Sequence, residues 1–155
     1  LKNCYPALRH SDYTVHYTVR KYSDTKEIES VMNSAPQKLS LDEFYLLAQP
    51  YEPGSAKLDE LWEIAVRMYP NDEIANFNAA NSAMNKRDFE RAERYLNKAG
   101  NRPEVEYSRG CIEVLKEQYE ASLDYLYKAK EAGIEAATPV IDAAENHWKV
   151  TRNKR

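Results

Sequence analysis

The sequence predicts an all-α fold assembled from repeated helical hairpins, and three observations carry that reading. Pro and Gly residues cut the chain after residue 23 into segments of helix length, two of those segments share one six-residue pattern, and the pattern recurs at a spacing that fits two helices per unit. With 155 residues, 43% of them hydrophobic and 30% charged, the chain corresponds to about one domain that can bury a core, which excludes a disordered tail as a description of the whole.

The first element differs from the rest. Tyr13, Val15, Tyr17 and Val19 alternate with Asp12, Thr14, His16, Thr18 and Arg20, a period of two that predicts a strand over 12–20. One strand cannot satisfy its own backbone, so it must pair with something outside this stretch or lie on the helices that follow. Residues 1–22 are therefore expected to be the end of a preceding domain. Leu1 in place of Met, with no signal-peptide pattern after it, leads to the expectation that the chain starts inside a longer polypeptide.

Helical punctuation begins at Ser23. Asp24 followed by Glu27, and Ser40 followed by Glu43, have the spacing of capping boxes. Pro36, Pro50, Pro53 with Gly54, Pro70, Gly100, Pro103, Gly133 and Pro139 then delimit helices predicted over 25–34, 41–49, 56–69, 73–86, 89–99, 104–116, 119–131 and 139–151. Residues 23–38 form a connecting helix, 39–152 an array with a C-terminal cap, and 153–155 a tail.

The repeat is clearest where Arg94-Tyr-Leu-Asn-Lys-Ala99 matches Asp124-Tyr-Leu-Tyr-Lys-Ala129 at a shift of 30, with Phe89 matching Tyr119. Ala99 maps back onto Ala65, and Leu96 onto Trp62, at a shift of 34. Such a period indicates a solenoid of helical hairpins. Leu58, Trp62, Ala65 and Pro70 form one copy of a spaced pattern, Ala92, Leu96 and Ala99 a second, and Ser122, Leu126 and Ala129 a third. In the first helices of the last two hairpins, Ala79-Ala80 and Arg109-Gly110 fall at matching positions.

On these residues the chain resembles the tetratricopeptide repeat family over about 39–137, with 138–152 left as a capping helix. The resemblance implies a right-handed superhelix of three hairpins whose first helices line a concave groove. The third repeat is short by four residues and carries Arg109 and Glu113 where the family has apolar packing positions. Its own apolar face, Tyr107, Cys111, Val114 and Leu115, leads to the expectation that this helix is rotated from the standard register.

The opening Tyr5–Arg20, with Tyr51-Glu-Pro-Gly-Ser55 and Ala65-Val-Arg-Met-Tyr-Pro70, resembles a narrower group. These are Gram-negative envelope proteins in which an OmpA-like domain precedes a short tetratricopeptide array. That resemblance implies a periplasmic location, with the strand at 12–20 as the last strand of a truncated OmpA-like domain.

Several function classes lose ground on composition. There are 22 Lys and Arg against 25 Asp and Glu, so no basic field exists to grip a phosphate backbone, and nucleic acid is not an expected partner. No apolar run approaches the ~18 residues of a membrane span. Two cysteines, Cys4 and Cys111, make neither a disulfide framework nor a metal spacing, so they leave the redox compartment open. His10, His16 and His147 are scattered, and no nucleophile elbow, phosphate loop or ligand pair is present, so neither catalysis nor a cofactor or metal is expected. Glycines 54, 100, 110 and 133 are accounted for by turns and one close helix approach.

The informative polar feature is Asn76, Asn78, Asn81 and Asn85 within the helix predicted over 73–86. Asn costs about 0.5–0.7 kcal/mol per helical residue relative to Ala, or ~2 kcal/mol for four, so another interaction must offset them. Asn78, Asn81 and Asn85 form one stripe, and in the family named above this helix faces the groove. A primary amide both donates to and accepts from a peptide backbone, which suits an extended peptide; hydrogen bonding between repeats or plain solvation is the simpler account of any single Asn. Arg109 and Glu113, one turn apart, are the neighbouring groove candidates and a possible i,i+4 pair. Positions matching a carboxylate clamp hold Phe77, Asn78 and Asn81, then Tyr107, Ser108 and Cys111, without the lysines such a clamp uses.

The expected function is a non-catalytic scaffold binding a protein or peptide partner in the groove formed by Asn78, Asn81, Asn85, Arg109 and Glu113. The alternative is a structural spacer packed on its own upstream domain, with no groove ligand. The partner's identity and the oligomeric state are not encoded in these patterns.

Overall fold

The computed structural model describes residues 20–152, and among them every regular element is helical. The order is α1 (Thr25–Ser34), a 3-10 turn (Pro36–Lys38), α2 (Leu41–Ala48), α3 (Ala56–Met68), α4 (Glu73–Asn85), α5 (Phe89–Leu96), α6 (Pro103–Leu115), α7 (Tyr119–Glu131) and α8 (Ala137–Arg152). The strand expected over 12–20 lies outside the described residues except for Arg20, which belongs to no regular element.

Local chemistry sets the helix ends. Side-chain oxygens of Asp24, Ser55, Asp72 and Asp88 accept from the backbone N–H of Lys26, Leu58, Ala75 and Arg91, at 3.1, 3.3, 2.8 and 3.1 Å. Pro103 opens α6 at the position where a missing N–H removes no intrahelical bond. The same tolerance lets Pro139 sit inside the first turn of α8, so that helix starts at Ala137, before the proline that was expected to open it. Helix α5 ends earlier than its expected Ala99. Lys98 and Ala99 bond three residues back, to Tyr95 and Leu96, and Gly100 takes φ 77°.

One expected capping box forms as a different arrangement. Asp24 caps α1 alone, because Glu27 is drawn to the guanidinium of Arg20. At α2 the Glu43 carboxylate does reach back, accepting from the Ser40 N–H at 2.6 Å and the Ser40 hydroxyl at 2.9 Å.

Packing is between neighbours in sequence. Helix α3 lies on α4, α4 on α5, α6 on α7 and α7 on α8, while α4 also meets α6, and α6 meets α8. The three-residue connections 86–88 and 116–118 turn α4/α5 and α6/α7 back on themselves as antiparallel hairpins. This is a repeat-like helical arrangement compatible with an α-solenoid. The residues matched in sequence occupy matched environments: Trp62, Leu96 and Leu126 are buried, and so are Ala65, Ala99 and Ala129.

Burial along α6 follows that of α4 at Val105, Gly110 and Ile112, which match buried Ala75, Ala80 and Ser82 thirty residues earlier; of the expected apolar face, Tyr107 and Val114 pack on the core and Leu115 is 43% exposed. Keeping the register places Arg109 and Glu113 at the positions of Ala79 and Ala83, which are buried in α4. The larger charged residues are half-buried there, at the side where α6 meets α5.

Candidate functional site

The four asparagines of α4 divide by partner. Asn76 is 1% exposed, and its Nδ2 donates to the Pro70 carbonyl at 3.1 Å and the Asp72 carbonyl at 2.7 Å. It ties the turn after α3 to the first turn of α4, which is a structural duty. The side-chain amides of Asn78, Asn81 and Asn85 make no hydrogen bond to another group among the described residues.

These three line one cleft of about 380 Å³. The other lining residues are Tyr45, Ala48 and Gln49 at the end of α2, Pro53 and Gly54 in the turn that follows, Leu58 and Trp62 of α3, and Ser82 of α4. Pro53 and Gly54 are the two central residues of a turn closed by the Ser55 N–H donating to the Glu52 carbonyl at 3.0 Å, with Gly54 at φ 78°, as a type II turn requires. Trp62 is held by the Tyr45 ring, 5.6 Å between centroids at 52°. Burial, reinforced by the Asp72 carboxylate, pushes the Tyr45 hydroxyl up to about 12, so it remains neutral.

None of the described residues lining this cleft is an Asp, Glu, Lys, Arg or His, in a chain that is 30% charged. Asp59 and Lys86, next in sequence to the lining residues Leu58 and Asn85, neutralise one another at 3.0 Å. The cleft can therefore offer amide donors and acceptors beside Leu58 and Trp62, with no charged side chain in its own lining.

Arg109 and Glu113 are elsewhere. They line a second cleft of about 260 Å³ with Glu93, Asn97, Ile112 and Tyr125. They do not pair with each other as their spacing suggested: Arg109 donates to Asn97 Oδ1 at 2.9 Å, and Glu113 lies 3.5 Å from the Lys116 ammonium. The hydrogen bond to Glu93 holds that ammonium above its ordinary value. The five groove candidates thus separate into an uncharged trio on one cleft and a charged pair on another.

Of the remaining chemistry-bearing residues, His147 stacks on Tyr119 with ring centroids 5.2 Å apart and 12° between planes. Burial pushes the Cys111 thiol up, which disfavours the reactive thiolate. His10, His16 and Cys4 lie outside the described residues. Tyr127, which the repeat left without a structural role, donates to Glu145 Oε1 at 2.6 Å and joins α7 to α8. Among the described residues no cluster of three or more His, Cys, Asp or Glu could hold a metal ion, and no helix is long and apolar enough to cross a membrane.

Sequence reasoning singled out the Asn stripe but not Tyr45, Gln49, Leu58 and Trp62, which line the same cleft. Leu58 and Trp62 carried a packing assignment from the repeat, and the fold of residues 49–55 against α4 has no periodic signature. Comparison with known proteins gives no matching family model, no matching curated protein and no matching solved structure.

Proposed function

We propose that the chain is a non-catalytic scaffold that binds a protein or peptide partner through the face shared by α2 and α4. In this reading the helices form a right-handed superhelix of three tetratricopeptide-like hairpins, α2/α3, α4/α5 and α6/α7, capped by α8. The observation that carries the reading is the unpaired amide trio of Asn78, Asn81 and Asn85 in a walled cleft between the first helices of two successive hairpins. Side-chain amides that find no hydrogen-bond partner within the fold are free to take one from the backbone of a bound peptide. Arg109 and Glu113, held by Asn97 and Lys116, are not part of this binding face.

The resemblance of the opening residues to OmpA-like envelope proteins supports a periplasmic location. Fractionating cells and sequencing the native N-terminus tests that part: an envelope-located polypeptide with an upstream domain supports it, and a cytoplasmic chain overturns it.

The binding reading is tested by capture from an envelope extract on the immobilised chain, in parallel with Asn81→Asp. Loss of the captured protein with an unchanged melting temperature supports a working cleft. Equal capture by both, or unfolding of Asn81→Asp on the scale of a core variant, overturns it in favour of a structural spacer.

A further inference from the structure

We infer that the cleft between the start of α7 and the end of α8 docks a basic segment of a partner protein, with two cationic side chains spaced as Arg-X-Arg. The site lies away from the face shared by α2 and α4. It is a hollow of about 940 Å³, at the upper end of the ligand-pocket range, lined by Glu117, Glu120 and Asp124 from α7 and the turn before it, and by Trp148 and Arg152 from α8. Tyr119, also in the lining, stacks on His147 and so joins the two helices there.

The charges in this lining do not balance. Three carboxylates share it with one guanidinium, which leaves two negative charges in excess. None of the three forms an ion pair among the described residues. The end of α7 accounts for only one of them: a carboxylate in the first turn complements a helix N-terminus, which describes Glu120, whereas Glu117 precedes the helix and Asp124 lies in its second turn.

The cleft already holds one cation of the kind it is suited to. The Arg152 guanidinium lies over the Trp148 ring, 5.3 Å from its centroid, within the range of cation–π attraction. Trp148 is half-buried, so its ring is held by the fold while part of its surface stays open. Arg152 is thus an internal competitor for an incoming basic side chain.

Spacing sets the form of the segment. Glu120 and Asp124 are one helical turn apart, which puts their Cβ atoms about 5–6 Å from each other. Alternate residues of an extended chain point the same way about 6.6 Å apart, so Arg-X-Arg presents one guanidinium to each carboxylate. The carboxylates are exposed, so the attraction weakens as salt is added.

The test follows the Trp148 indole N–H resonance while the full chain is titrated at low salt with blocked pentapeptides Ser-X-Ser-X-Ser, X being Arg, Gln or Glu. The Arg peptide is expected to shift that resonance and to bind at least fivefold tighter than the Gln peptide; equal binding of the two, or a resonance that does not move, overturns the inference. Glu120→Gln/Asp124→Asn should weaken the Arg peptide at least fivefold, and Glu104→Gln/Glu106→Gln, at the start of α6, less than twofold. Equal weakening by both pairs would show general attraction to a negatively charged chain and overturn the site. Arg152→Ala should tighten binding at least twofold by clearing the ring, and an unchanged affinity places the peptide elsewhere. Binding that emerges only in Lys154→Ala/Arg155→Ala makes the chain's own tail the occupant, and self-association that Glu120→Gln/Asp124→Asn abolishes makes it a second copy; either result overturns docking of a partner's segment.

Discussion

Arg87 and Glu117, thirty residues apart, adopt the same left-handed conformation, with φ 58° and 62°. Each closes a hairpin by the same pair of bonds. Arg87 and Asp88 donate to the carbonyls of Met84 and Ala83, and Glu117 and Gln118 donate to those of Val114 and Glu113. The repeat is thus written into the backbone at a place where the two sequences, Lys-Arg-Asp and Lys-Glu-Gln, barely agree.

A side chain at φ near 60° costs ~1–2 kcal/mol, against about 0.5–1 kcal/mol of extra unfolded-state entropy for Gly. Arg87→Gly and Glu117→Gly are therefore each expected to stabilise the chain by about 0.5–1 kcal/mol. Urea unfolding midpoints check this, and lower midpoints would show that the side chains themselves hold the turns.

Gly110 is constrained in the opposite sense. A Cβ there would sit 2.6 Å from Leu126 Cγ and 3.3 Å from the Leu126 backbone nitrogen, and Leu126 is fully buried with nowhere to retreat. Gly110→Ala is expected to destabilise by ~1–3 kcal/mol despite the better helix propensity of Ala. In a Leu126→Ala background the same substitution should be neutral or favourable, and a double-mutant cycle showing no coupling would contradict the close approach.

What was legible in the sequence follows from range. Helix ends set by local groups, such as Ser40 with Glu43 or Pro103, were readable because cap and helix are neighbours in the chain. The buried positions of Trp62, Leu96 and Leu126 were readable because the repeat carries them. Arg109 and Glu113 do not form the i,i+4 pair that their spacing allowed, because Asn97 and Lys116 engage them instead. Glu27 left its capping box for Arg20 for the same reason. The cleft opposite the Asn stripe depends on how residues 49–55 fold against α4, which no local pattern encodes.

The asparagines of α4 give a prediction within a single helix. Asn76→Ala removes two buried hydrogen bonds to backbone carbonyls and should cost ~1–3 kcal/mol, reduced by the helix propensity of Ala. Asn78→Ala and Asn81→Ala should each stabilise by about 0.5 kcal/mol, because they remove only a poor helix former. Thermal unfolding of the three variants checks the division, and comparable losses at all three would show that the stripe is structural.

Trp62 both packs α3 against α2 and lines the cleft. It is 6% exposed and contacts Tyr45, so Trp62→Ala is expected to destabilise by ~3–5 kcal/mol. A loss under ~1 kcal/mol in chemical denaturation would contradict its place in the core.

Glu43 links stability to pH. Burial raises its pKa, but the carboxylate accepts from the Tyr22 N–H at 2.6 Å, the Ser40 N–H at 2.6 Å and the Ser40 hydroxyl at 2.9 Å. The donors outweigh burial, and the net shift is downward from the ordinary 4.5. A carboxyl that binds its proton less readily folded than unfolded contributes stability that is complete above the unfolded value and drains away as pH falls through the lower, folded one. The chain should therefore lose stability on acidification below about pH 4.5, where the unfolded carboxyl begins to take its proton. Glu43→Gln should flatten part of that dependence and cost ~1.5–3 kcal/mol at pH 7, the worth of hydrogen bonds to a charged group. Denaturation midpoints of both proteins between pH 3 and pH 7 check the sign. An unaltered acid limb in Glu43→Gln would mean that this carboxylate, which ties Tyr22 to the start of α2, does not carry the acid sensitivity of the fold.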